Sequence, residues 1–128
     1  MTPRLRAIAP LLLSSALALV APGQAQAHAV VTESSLQTQP VKPGHATTVQ
    51  LQFNAGVELS LSRIFLVSKG DAYQPITART GKKPGQILVP LPALSEGEYA
   101  IKYKIFAADG HLTESVIRFF VKDENNQR

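Results

Sequence analysis

Between Glu98 and Ala107 the side chains alternate strictly. Tyr99, Ile101, Tyr103 and Ile105 share one face, and Lys102, Lys104 and Phe106 share the other. A period of two over this length does not fit the 3.6-residue repeat of a helix; it describes a strand with one face in a core. Such a strand needs partners beside it and an apolar layer across from it, and the chain supplies both. Thr47, Val49, Leu51 and Phe53 fall on one face of Thr47–Phe53, and Ile117, Phe119 and Val121 fall on one face of Val116–Val121. Ile64–Val67 is a short apolar run, and Gln86–Val89 is another that Pro90 is expected to end. Breakers separate these runs at Pro40–Gly44, Lys69–Asp71, Gly81–Gly85, Pro90–Pro92 and Glu96–Gly97, where Gly and Pro set turns and stop strands. No helical period, heptad or internal repeat competes. The pattern predicts an all-β fold, a Greek-key sandwich of about seven short strands, with a polar, frayed tail over Asp123–Arg128.

The first 27 residues stand apart from this pattern. Arg4 and Arg6 give a basic start, Ile8–Val20 is an apolar run, and Ala25-Gln26-Ala27 puts small residues at the −3 and −1 positions of a cleavage site. That order is a secretory signal, and the apolar run is too short for a membrane span. The reading is therefore a cleaved signal over residues 1–27 and a single domain over residues 28–128, with no membrane insertion after cleavage. Ala27-His28-Ala29 meets the same small-x-small rule, so two cleavage points compete. Cleavage after Ala27 follows the polar Gln24–Gln26 stretch and leaves His28 as the first residue.

A domain of about 100 residues can bury a sufficient core unaided. It must do so, because the sequence holds no cysteine and can form no disulfide in an oxidising compartment. The same absence removes thiolate catalysis and any thiolate site for zinc or copper(I). The formal charge of +4 includes Arg4 and Arg6, and the remaining lysines are dispersed among acids. Dispersion of that kind is a solvated surface, and a nucleic-acid partner is not expected.

Three histidines and the carboxylates are the remaining chemistry. If His28 begins the processed chain, its α-amino group and its own Nδ1 can close a chelate ring on one metal ion, which no internal histidine can do alone. The plainer reading is a chance residue at a loose end. Asp109-Gly110-His111 follows the longest strand, and residues two apart on extended chain point the same way, so carboxylate and imidazole can converge. Asp-Gly is also a common turn pair, and a simple Asx turn accounts for it equally. Together His28, Asp109 and His111 supply an N/O donor set of about four atoms, which suits tetragonal Cu(II). Zinc accepts the same donors, and copper(II) ranks first by its place in the divalent affinity order. The only Met is Met1, so nothing soft is on offer for Cu(I). His45, in the turn Pro43-Gly44-His45, is expected to be merely exposed, and Glu114 merely solvated. No catalytic triad, phosphate loop or zinc-protease motif is present.

At these residues the chain resembles the CopC family of bacterial periplasmic copper-binding and copper-resistance proteins. The likeness rests on Ala27-His28-Ala29, Val49–Phe53, Gly56-Val57-Glu58, Gln86–Leu91, Gly97-Glu98-Tyr99 and Ala108-Asp109-Gly110-His111 ahead of Phe119 and Val121. It implies an immunoglobulin-like β-sandwich or small barrel, one Cu(II) held by the amine and imidazole of His28 with Asp109 and His111, and a periplasmic location. It further implies a monomeric carrier or buffer in copper homeostasis, with a CopD-like inner-membrane copper permease as a partner. Three departures accompany it. The region of the family's Met-rich loop, Lys69–Ile76, has no Met, which matches the Cu(II)-only type; Ala55 stands where an acidic residue is usual; and Tyr103 stands for the usual Trp.

Two other readings stay open on the residues alone. A copper oxygenase with an N-terminal histidine brace would use His28 and a second histidine. The small domain, the absence of Trp and the carboxylate of Asp109 argue against it. A metal-free interaction module becomes the better reading if cleavage falls after Ala29. A non-enzymatic copper(II) binder is preferred to both.

Overall fold

The ten-residue alternating run is the central element of a β-sandwich in a computed structural model that describes residues 2–4 and 28–126. Apart from Thr2–Arg4, the export signal read over residues 1–27 lies outside the described residues. Eight strands are present: β1 (Val31–Ser34), β2 (Thr47–Phe53), β3 (Arg63–Ser68), β4 (Ala72–Ile76), β5 (Arg79–Thr80), β6 (Gln86–Leu91), β7 (Gly97–Phe106) and β8 (Leu112–Val121). They form two four-stranded sheets, ordered β1-β2-β6-β5 and β4-β3-β7-β8, in which every strand pairing is antiparallel.

The core lies where the inward faces meet. Ile101, Tyr103 and Ile105 of β7 are buried with Val49, Leu51 and Phe53 of β2, as the alternation requires. Ile87 and Val89 of β6 and Phe119 and Val121 of β8 complete the layer. Each such side chain contributes on the order of 1.5–3 kcal/mol by leaving water, and this must suffice in a chain with no disulfide. Tyr103 sits edge-on to Phe53 with ring centroids 5.4 Å apart, so it fills its site as a core aromatic.

The structure corrects the strand boundaries in three places. Pro90 does not end its strand: β6 continues to Leu91, with Pro90 opposite Thr48. The reason is that β5 pairs with β6 only at Leu88 and Ile87, so Pro90 has passed the end of its outer neighbour and removes no ladder bond there. The closing strand begins at Leu112 and not at Val116, and it pairs with β7 over its whole length, Phe106↔Leu112 to Gly97↔Val121. Its first half, Thr113-Glu114-Ser115, is polar on both faces and carries no periodic signal. Third, Lys69–Ile76 is largely strand. Lys69-Gly70-Asp71 turns the chain and Ala72–Ile76 is β4, an edge strand that tolerates Pro75. Part of the tail is also ordered, as Glu124–Asn126 forms one 3-10 turn. Among the described residues no helix is long and apolar enough to cross a membrane.

Candidate metal centre

One end of the sandwich gathers three segments that are distant in sequence. The chain entering β1, the loop leaving β2 and the turn joining β7 to β8 meet there. Val57 bridges Ala107, and the Glu58 amide donates to the Phe106 carbonyl at 2.9 Å. The Ala108 amide donates to Gly56 at 2.9 Å. A Cβ on Gly56 would lie 3.3 Å from the Ala108 methyl, so the two loops touch. Ser62, buried, locks the same loop: its hydroxyl donates to the Glu58 carbonyl at 2.8 Å and accepts the Phe106 amide at 2.9 Å. With its one buried hydroxyl satisfied on both sides, this loop is a fixed wall behind the β7–β8 turn.

That turn carries Asp109 and His111. Of the two readings of Asp109-Gly110-His111, extended chain and Asx turn, the structure has the turn: Ala108–Gly110 is closed by the Gly110 amide on the Ala107 carbonyl and the Ala107 amide on the His111 carbonyl. Gly110 has φ 91°, a conformation that favours glycine over any side chain. The two side chains still meet, for a different reason. Asp109 Oδ1 accepts the His111 backbone amide at 3.1 Å, an Asx turn, which aims Oδ2 at His111 Nδ1, also at 3.1 Å. The His111 amide first, and its imidazole second, hold the Asp109 carboxyl below its ordinary value. Both side chains are about half exposed, with Asp109 42% and His111 50% accessible, so water and ions reach them.

His28 lies at the same end. Ala29 is fully buried in the core, which anchors the chain immediately after the histidine and leaves His28 exposed. The Ala29 amide donates to the Thr113 hydroxyl at 3.2 Å, two residues beyond His111. Asn54 clamps the other side: its Oδ1 accepts the Val30 amide at 2.9 Å and its Nδ2 donates to the His28 carbonyl at 3.3 Å. Asn54 and Thr113 were not legible as site residues. Asn54 is a polar residue just past a strand, and Thr113 lies in the unpatterned half of β8.

Of the candidate residues, Asp109 and His111 are in direct contact, and His28 is tethered to the same end through its neighbours' backbone. Among the described residues no three His, Cys, Asp or Glu side chains are grouped so as to hold one ion. Ala55 lies behind this end, where its carbonyl and that of Phe53 approach Gly85 so closely that a Cβ there would sit at 2.6 and 2.7 Å. His45 is at the opposite end of β2, exposed, with its Nδ1 2.9 Å from the Pro43 carbonyl. Glu114 is half exposed and pairs with Lys104 at 3.4 Å on the outer face of the sheet, as a solvated side chain would.

Comparison with known proteins adds the following. The family model described as CopC domain matches residues 31–122. No curated protein matches the sequence. Among solved structures, CopC from Methylosinus trichosporium OB3b is similar over 79% of this chain and 100% of its own, with 25% identity and a TM-score of 0.62. PcoC, a methionine-rich copper resistance protein from Escherichia coli, is similar over 75% of this chain and 100% of its own, with 24% identity and a TM-score of 0.52. The second likeness carries the fold alone.

Proposed function

The chain belongs to the CopC domain family, and from that premise we propose that it is an exported, non-catalytic copper(II)-binding protein, a carrier or buffer in periplasmic copper homeostasis. One Cu(II) is taken by the α-amino group and imidazole of a first-residue His28, with Asp109 and His111. The observation that carries this reading is the tethering of His28, by the buried Ala29 and the Asn54 clamp, to the end of the sandwich that holds the Asp109–His111 pair. Asp109 Oδ2 and His111 Nδ1 face each other at 3.1 Å, a separation that two neighbouring ligands of one ion would keep, so a Cu(II) in place of the shared proton would meet both groups. The donors are nitrogen and oxygen only, which suits Cu(II) over Cu(I).

The buried Ala29 also bears on processing. Cleavage after Ala29 would remove a core residue and the amide that holds Thr113, whereas cleavage after Ala27 removes neither. This supports His28 as the first residue. Amine and imidazole must shed protons to bind, so copper uptake releases protons and weakens as pH falls.

The test is a Cu(II) competition titration of two forms, one beginning at His28 and one retaining Ala27. The reading expects the second form to bind at least ~100-fold more weakly, because its His28 nitrogen is a peptide amide and not an amine. Equal affinity would remove the N-terminal chelate from the site.

A further inference from the structure

β8 is the last strand of its sheet, and among the described residues no further strand pairs along its outer edge. Among the described residues the contacts beyond that edge are at its two ends: the isolated bridge from Val41 to Val121, and the Ala29 amide on the Thr113 hydroxyl. Between them runs Glu114–Phe120. Six large apolar residues are prominently exposed among those described, and three are on the outward face of this one strand. They are Leu112 at 56%, Val116 at 48% and Phe120 at 61%. A long edge with apolar side chains is a template for another strand unless something on it repels one.

The charges on this face decide what kind of strand it suits. The outward side chains read Leu112, Glu114, Val116, Arg118, Phe120. Laid antiparallel against a second copy of itself, with Val116 opposite Val116, the strand sets Leu112 against Phe120 and Glu114 against Arg118. By symmetry each pairing occurs twice. Protective edge charges repel a copy of themselves when like meets like; here the two charges sit at equal distances from Val116 with opposite sign, so self-pairing is attractive. Within one chain Glu114 already pairs with Lys104 at 3.4 Å, and Arg118 lies 3.9 Å from Glu98. Across the junction the signs would alternate from Lys104 to Glu114 to the partner's Arg118 to the partner's Glu98, and Lys102, opposite Val116 on the same face, adds a positive charge diagonal to Arg118.

We propose that β8 is a self-association edge: two copies of this chain pair β8 to β8, antiparallel, with Val116 on the two-fold axis, joining their sheets into one of eight strands. The occupant is a second copy because the residue pattern complements itself, as an isologous interface requires. Sequence reasoning expects a monomer, and the two are compatible at low concentration. At this register Glu114–Arg118 is the stretch clear of the Thr113 and Val121 contacts in both copies, and edge pairing over those five residues buries far less than the ~800 Å² per partner of stable interfaces, so the dimer is weak and fills only in concentrated solution. His111 of one copy falls opposite Val121 of the other, so the two candidate metal centres lie about 30 Å apart, at opposite ends of the junction. The association therefore does not depend on the copper reading.

Sedimentation velocity of the exported chain across a concentration series in EDTA tests this, with thermal melts to show that each variant folds. The wild type should shift toward dimer as concentration rises. Glu114→Arg alone and Arg118→Glu alone should each weaken the dimer at least ~tenfold, because each change sets like charges together at two symmetric places. The double variant carrying both changes should return to within about threefold of wild type, since the pairing is restored with the signs exchanged. A monomer at every concentration, a dimer that EDTA abolishes, single reversals without effect, or a double variant that stays weak would each overturn the proposal.

Discussion

Two turns at opposite ends of the sandwich each present an exposed histidine, and they differ in what surrounds it. Around His45 its own contacts are local, with its ring nitrogen on Pro43 two residues away and its amide on Lys42 at 3.4 Å; the Gly44 amide before it does reach the Leu94 carbonyl at 2.8 Å, but a leucine offers no ligand. Around His111 they are long-range. The preceding residues are tied to Gly56, Thr113 fastens the Ala29 amide from 84 residues earlier, and Asn54 holds His28 and Val30. A histidine on a local turn has only its own neighbours as co-ligands. A histidine where three separated segments converge can share an ion with groups the sequence leaves far apart. The contrast also fits the chemistry, because the His111 ring has a carboxylate on it and the His45 ring does not.

The sharpest way to break this comparison is to remove each histidine in turn. His111→Ala should lower Cu(II) affinity at least ~100-fold in a competition titration, since it deletes a donor and leaves Asp109 unoriented. His45→Ala should leave affinity within about twofold and stability within ~0.5 kcal/mol, as an exposed surface change should. Equal losses from both would mean that copper binds adventitiously to any imidazole.

The second effect is smaller and acts through position. Asn54→Ala removes both halves of the clamp on Val30 and His28. Exposed hydrogen bonds of this kind are worth roughly 1 kcal/mol together, read by urea denaturation. If the clamp also sets where His28 sits, Cu(II) affinity should fall about tenfold, toward the range expected for a lost supporting contact. A stability loss with unchanged copper affinity would make Asn54 a fastener of the chain end and nothing more.

How much of this was readable in advance follows from what each part depends on. The alternation at Tyr99–Ile105 and Val49–Phe53 is a local pattern with a single structural outcome, so the sandwich and its core were legible residue by residue. β1, β4 and the first half of β8 were not, because none of these stretches buries a continuous face and so none carries a period; β5 is only two residues long. Asp109 and His111 could be named from their spacing, which left extended chain and Asx turn both open; the structure has the turn, with Gly110 at φ 91° and Asp109 on the His111 amide. The clamp by Asn54 and Thr113 depends on which ends of which strands meet, and that is set by topology, which no short-range pattern encodes.

The smallest effect tests how the Asp109–His111 pair is built. Asp109 is solvated, yet its carboxyl is held below the ordinary value, first by the His111 backbone amide and next by the ring. A carboxylate favoured in the folded state stabilises the fold above its unfolded pKa, and that contribution fades as pH falls through the lower folded value. Its carboxyl carbon, followed by NMR in the metal-free chain, should therefore titrate at lower pH than an aspartate in a disordered peptide. Replacing the ring separates the two causes. In His111→Ala the backbone amide remains, so the midpoint should rise only part of the way and stay below the peptide value. A full return to the peptide value would mean that the imidazole alone holds the carboxylate, and that the turn does not aim Asp109 independently of its neighbour's side chain.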